Sequence, residues 1–508
     1  MTERRLIRIP EPTLLFGYQQ AIEDPRDGLT LFSPLDAGKA SIRAGVIGTS
    51  DGIRRYRDWV NRLQRPIVDV DKNGNSILHR PYFPGFETVF RIAWEPQPVH
   101  QIIVTDEEIE TQLYLDDKHL RVYRTVEVFS EKILKAIRED DISVDIWFVI
   151  IPEKVWKKCR PKSLVERALR IVAEDKMPIK RALRLQSEPS FFAEENQAAI
   201  PYQYEVNFHN QLKARLLKDK VLTQIVRETT IAPSEFTNPF GKPLRQVDEP
   251  SAIAWNISTS VFYKCNGRPW KINGIRDGVC YIGLVFKQDE RSVNPSEVCC
   301  AAQMFLDSGD GFVFKGALGP WRTSERGDYH LKRAAAKELI GKAIEAYRDR
   351  NNGQPPKELF IHGKVRFIDD EWQGFKDGVP AETNLVGVRI HDEQNLKLYR
   401  KSRHPILRGL AYIRDERTAY LWTKGFIPRL QTYPGRSVPK PLLIDVCRGD
   451  VNLKLVLQDV LALTKLNYNA CVFADGVPVT LKFADAVGEI LTAGPIKDLP
   501  PLPFKHYI

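Results

Sequence analysis

Two apolar runs constrain this chain more than anything else in it. "ISVDIWFVII" (142–151) and "VCYIGLVF" (279–286) are nearly continuous and show no in-out alternation. Such runs read as strands covered on both faces. The first follows a helical stretch, "VEVFSEKILKAIRED" (126–140). Helix followed by buried strand implies an α/β layer. Asp145 interrupts the first run, which is too short to span a bilayer.

At 508 residues the chain exceeds one core, so two to four domains are expected. Its 43% hydrophobic and 28% charged content is that of a soluble globular protein. A net charge of +10 and a pI near 9.1 permit a polyanionic partner. Cys159, Cys265, Cys280, Cys299, Cys300, Cys447 and Cys471 show no CxxC or Cys/His ligand spacing. Reduced thiols and a cytoplasmic location follow as expectations. The start, "MTERRLIRIPEP", lacks the apolar core of a secretory signal.

The first hundred residues are turn-rich and suit short strands, apart from an amphipathic helix at 51–66 closed by Pro66. Residues 153–186 carry eleven Lys and Arg against four acids. A solvated helix face explains that run as well as a ligand does. "EVNFHNQLKARLLKDK" (205–220) reads as a helix with a Leu212, Leu216, Leu217 stripe and a polar face of His209, Lys213 and Lys220. A strand is expected over 221–231 and a buried helix over 251–264. Beyond that, "CCAAQMFLDSGDGFVFKG" suggests two strands around a Ser-Gly-Asp-Gly turn. Helices at 329–352, 452–468 and 479–493 alternate with strands at 357–367 and beyond. Adjacent strands followed by helices suit a ribonuclease-H-like layout.

Several segments together resemble the prokaryotic Argonautes. "YKCNGRPWKI" resembles their "K-x-G-G-x-P-W-K" junction, and "VCYIGLVF" follows it as the first PIWI strand does. "FHNQLKARLLKDKVLTQIVRETTI" resembles a MID guide-phosphate motif. "DGLTLFSPL" with "AGVIGT" is similar to the segment ahead of MID, and "LTKLNYNACVFADGVPVTLKFADAVGEI" with "FKHYI" to the end of PIWI. The resemblance is to the short Argonautes that pair with a TIR-APAZ or related APAZ effector. It implies an α/β protein with a Rossmann-like MID domain (101–265), a ribonuclease-H-like PIWI domain (266–508) and an N-terminal strand-rich segment (1–100).

The resemblance carries His209, Lys213, Gln224 and Lys264 over as a set holding a guide 5′-phosphate. His209 stands where many relatives have Tyr, and its partial protonation would make phosphate binding depend on pH. His209 and Lys213 are four apart and share a helix face; an ordinary exposed pair has the same spacing. Mg²⁺ is expected against the phosphate, held by Gln224 and the C-terminal carboxylate of Ile508.

Catalytic relatives need several carboxylates to bridge two metals. The matching places here are Val285 and Gly363, the latter beside Lys364; Asp485 alone is retained. A catalytically inactive PIWI is expected. The resemblance implies a guide-RNA-binding subunit that recognises single-stranded target DNA of plasmids or phage. It would activate an APAZ partner (TIR favoured, sirtuin-like or nuclease alternatives), with target-induced oligomers of the heterodimer. A cleaving PIWI nuclease with displaced carboxylates, using Asp485 and Asp369, Asp370 and Glu371, is the alternative. A basic structural protein without a guide is the third reading.

Overall fold

The computed structural model describes residues 5–69, 82–139, 143–288, 298–306, 311–318, 321–322, 328–433, 435, 437–495 and 502–508. Two sheets organise it. The smaller has four parallel strands in the order His100–Ile103, Ala44–Gly48, Ile146–Ile151, Thr223–Arg227. The apolar run at 146–151 is buried at every position because successive side chains enter different cores. Trp147, Val149 and Ile151 pack with Phe129, Ile133 and Leu212 of the helices Lys118–Glu139 and Phe208–Leu216. Ile146, Phe148 and Ile150 pack with Ile53, Tyr56 and Val60 of the helix Ser50–Leu63.

The larger sheet has ten strands. Its centre follows the ribonuclease-H order. Gly311–Leu318, Val298–Leu306 and Val279–Gln288 run antiparallel, and Glu358–Gly363 and Asn384–Asp392 then run parallel to the last of these. Cys280, Ile282 and Leu284 face the helices Arg333–Arg348 and Asp369–Gly378. Tyr281 lies in the opposite core with Val456 and Val460 of the helix Leu453–Leu463 and Val487 of the helix Ala484–Thr492.

The Pro-Trp junction joins the two halves. Trp270 is buried against Phe16 and Tyr468, and its Nε1 donates to the Lys465 main-chain oxygen at 3.1 Å. Arg408 is buried on Glu11, with contacts of 3.0–3.1 Å, and Lys465 reaches the same carboxylate at 3.0 Å. No helix among the described residues is long and apolar enough to cross a membrane.

Several boundaries differ from the sequence reading. The four-stranded sheet takes Ala44–Gly48 from ahead of residue 100, because that strand pairs with both His100–Ile103 and Ile146–Ile151. The strand at 221–231 ends at Arg227, and Glu228–Ile231 is helical. There the chain leaves the sheet so that the buried Glu228 carboxylate can accept from Thr49 Oγ1 at 3.1 Å. The helix at 329–352 starts only at Arg333, since Tyr329–His330 pairs with Trp321–Arg322. The Ser-Gly-Asp-Gly turn falls largely outside the described residues, although the strands flanking it pair as a hairpin.

Candidate nucleic-acid interface

Asn207 caps the helix Phe208–Leu216 by accepting from the His209 main-chain N–H at 3.1 Å. His209 and Lys213 then lie one turn apart. The alternative reading, an ordinary exposed pair, would show Lys213 to solvent. Instead Lys213 is only 4% exposed, and its Nζ donates to the Ile508 main-chain oxygen at 2.5 Å, across 295 residues of sequence. Lys264, at the end of the helix Pro250–Lys264, is 1% exposed. It donates to Gln224 Oε1 at 2.8 Å and to the Thr223 main-chain oxygen at 3.1 Å. The four expected residues and Ile508 therefore form one pocket, between the small sheet and the tail 502–508.

Cations crowd this pocket. Burial pushes the Lys213 ammonium down to about 7. Burial, and then the charge of Lys213, push Lys264 well below its ordinary value. The same two causes push the His209 imidazole down to about 4, with Lys264 adding to them. His209 is thus neutral at physiological pH in the guide-free protein, not partly protonated. Neither lysine has an ion pair with a side-chain carboxylate among the described residues. Burying an ammonium costs several kcal/mol relative to water unless charge and hydrogen bonds compensate it. The arrangement thus favours an anion with multiple acceptor oxygens.

His506 and Lys505 belong to the same pocket, and sequence reasoning gave them no role. His506 is buried, and its Nδ1 has no hydrogen-bond partner among the described residues. Burial, then the charges of Lys505 and Lys213, push it down to about 4. Lys505 Nζ donates to the Lys264 main-chain oxygen at 3.3 Å and to Asn266. Ser260, one turn before Lys264, lies 3.3 Å from Gln224 Oε1 and orients that amide.

The two oxygens expected to hold Mg²⁺ are both engaged: Gln224 Oε1 by Lys264 and the Ile508 oxygen by Lys213. As arranged, these residues do not fit a Mg²⁺ held by the protein alone.

The expected carboxylate positions lie on the larger sheet. Val285 lies opposite Ala301 in the strand Val279–Gln288. A Cβ on Gly363 would come 3.0 Å from the Phe367 ring, whose place is set by packing on Trp372 and Phe375. Gly363 thus looks onto a filled core. The residue that meets Asp485 is Lys364, at 3.2 Å, in an exposed ion pair. Asp369 pairs with Arg448, Asp370 accepts from the Arg333 main-chain N–H, and Glu371 is buried on His330 and the Leu331 main chain. These acids are dispersed. No group of three or more His, Cys, Asp or Glu among the described residues is placed to hold a metal.

No protein-family model matches the sequence, and no curated protein matches it. Solved structures do. Clostridium butyricum Argonaute, bound to a guide DNA with a 5′ deoxycytidine and a 19-mer target DNA, superposes with a TM-score of 0.63 at 15% identity. The match covers 97% of this chain and 54% of that one. An Aa-Ago structure with externally bound siRNA gives 0.55 at 14% identity, covering 99% and 56%. A. aeolicus Argonaute gives 0.52 at 15%, covering 97% and 53%. The chain thus has the Argonaute fold, a Rossmann-like MID layer and a ribonuclease-H-like PIWI sheet. It spans about half the length of those Argonautes.

Proposed function

We propose that this chain binds a guide nucleic acid by its 5′-phosphate and uses the guide to recognise a complementary strand without cutting it. One observation carries the reading. Two fully buried lysines share a pocket with two buried or half-buried histidines, and the lysines have no side-chain carboxylate partner among the described residues. A terminal phosphate supplies close to two negative charges and several acceptors at one point. The proposed guide is RNA and the target single-stranded DNA, as the sequence resemblance implies.

Loss of cleavage is supported by the residues at the carboxylate positions. Lys364 meets Asp485, and Phe367 closes the space over Gly363. Any effector chemistry then belongs to a separate protein. An APAZ-type partner carrying a TIR domain is the proposed one, as the sequence resemblance implies.

The test compares 5′-phosphorylated and 5′-hydroxyl guides on the full chain. Lys213→Ala or Lys264→Ala should weaken the phosphorylated guide selectively, by roughly 1.5–3 kcal/mol or about 10- to 150-fold. Equal loss for both guides would remove these lysines from the phosphate site. Metal-dependent cleavage of a guide-matched strand by the purified chain would overturn the non-cutting half of the proposal.

A further inference from the structure

A second cleft, of about 500 Å³, opens where three distant segments meet, and it shares no residue with the phosphate pocket. Asp24 and Arg26 reach it from the start of the helix Pro25–Phe32. Asp248, Glu249 and Ala252 reach it from the start of the helix Pro250–Lys264. The loops at 427–432 and 472–475 complete it, and most of its wall is apolar through Ile427, Leu430, Val472 and Phe473. A mostly apolar cleft with a few convergent polar groups is the usual form of a small-ligand site.

Asp24 is the polar group that the cleft buries most deeply, at 3% exposure. Its Oδ1 caps the helix, accepting from the main-chain N–H groups of Arg26 at 2.8 Å and Asp27 at 3.2 Å. Its Oδ2 has no hydrogen-bond or ion-pair partner among the described residues. Arg26 is the one cation of the lining, and its Nε donates to the Cys471 main-chain oxygen at 3.0 Å. Burial, and then the charge of Asp27, push the Asp24 carboxyl up; the opposing influences, of which the Arg26 charge is the smallest, do not cancel them. The cations nearby are committed elsewhere. Lys482 pairs with Asp475, Arg429 with Asp27 at 2.5 Å, and Lys465 with Glu11 at 3.0 Å, although it lies 3.8 Å from the centre of the Phe473 ring. Arg245, which feels the charge of Asp248, donates to Thr229 at 2.9 Å and to Thr230. Burial pushes the Asp475 carboxyl up as well, despite Lys482.

We propose that this cleft binds an organic cation, an alkylguanidinium or alkylammonium group whose head donates to Asp24 Oδ2 and whose stem lies on Ile427, Leu430 and Phe473. A buried carboxylate oxygen without a donor is best served by a charged one. The apolar wall suits an alkyl stem, as apolar surface suits the stems of Lys and Arg. It does not suit a bare divalent ion, which needs a shell of oxygens, and no group of three or more His, Cys, Asp or Glu among the described residues is placed to supply one. Four carboxylates against one guanidinium in the lining disfavour an anion. The site is independent of the guide-binding reading.

The experiment uses the full chain and ligand-observed NMR with two probes, butylguanidinium and its neutral near-isostere butylurea. Butylguanidinium should bind at roughly millimolar concentration, as so small a ligand allows. Butylurea should bind about tenfold more weakly, because it lacks the charge-assisted contact. Asp24→Asn keeps an acceptor for the helix cap and removes the charge. It should weaken butylguanidinium about tenfold and leave butylurea unchanged. Ala252→Leu, which fills the cleft from the other helix and leaves the cap intact, should weaken both probes. N-acetyl-arginine methylamide then reads the source of the cation. Affinity at least equal to that of butylguanidinium assigns the cleft to an arginine side chain of a second protein, and affinity about tenfold lower assigns it to a free cation of the polyamine class. Butylguanidinium binding that neither variant alters, equal affinity of the two probes for the wild type, or no binding at concentrations on the order of tens of millimolar would overturn the site.

Discussion

Raising the pH from 6.5 to 8.5 should sharply weaken the binding of a 5′-phosphorylated guide. Lys213 sits at about 7 in the guide-free pocket because burial disfavours its charge. A phosphate dianion beside it would favour the charged form and raise the group back toward its ordinary 10.5. Above pH 7 the free protein has lost a proton that the complex holds, so binding takes up a proton. The affinity then scales as 1/(1 + 10^(pH−7)), and linkage gives a fall of about 25-fold across this range, near 1.9 kcal/mol. The guide phosphate's own second ionisation, near pH 6, trims this to about 20-fold. Lys264 is depressed by burial and then by the charge of Lys213, and it steepens the fall. The assay is filter binding at constant ionic strength, with calorimetry at pH 8 in two buffers of different ionisation heat; uptake from Lys213 alone should be about 0.9 proton. A 5′-hydroxyl guide should show neither effect. A flat profile, proton release, or an equal slope for the hydroxyl guide refutes the reasoning.

The same titration bears on stability: above pH 7 the unfolded chain holds a proton that folded Lys213 lacks, so guide-free stability rises toward pH 10, by about 1.4 kcal/mol per unit. Denaturant melts of the wild type and Lys213→Met at pH 7 and 9 check it, and the variant should show the smaller rise. EDTA should leave guide affinity within about twofold, because lysines hold both candidate metal oxygens, and a larger loss in direct binding would count against this. Gly283→Ala should destabilise by about 3 kcal/mol in urea melts, since its Cβ would lie 1.8 Å from the Thr480 main-chain oxygen. Arg408→Ala should cost about 3 kcal/mol in the same assay, because it removes one of the two cations on Glu11 within a buried network.

The layout was legible where local pattern dictates it. Residues 146–151 and 279–286 had to be covered strands, and the structure covers both faces of each sheet with helices. What was hidden depends on contacts between distant segments. Sequence spacing places His209 and Lys213 on one helix face, but an exposed pair has that spacing too. Only the tail at 505–508, folded back onto Lys213, makes the face an interior. His506 had little local signal: burial acts on it first, and of the lysines around it only Lys505 is a sequence neighbour, the others lying more than 240 residues away. At Gly363 the family resemblance implied a missing acid. It did not show that Phe367, four residues on, fills the space, or that Lys364 is the residue meeting Asp485.

The pocket's construction links guide capture to assembly of the whole chain. Lys213 and Gln224 come from the small sheet's layer, and Lys264 from the helix that leads into the junction. Ile508 comes from a tail whose Leu502–Pro503 strand pairs with Phe312 and Val313 at the edge of the large sheet. The lysines meet these partners only when both sheets are formed and docked, and the desolvation of their ammonium groups opposes that docking until an anion arrives. A 5′-phosphate is stabilising in proportion to the charge it relieves. Selectivity for the phosphate and the weakness of the empty protein are thus one electrostatic fact, located at Lys213 and Lys264.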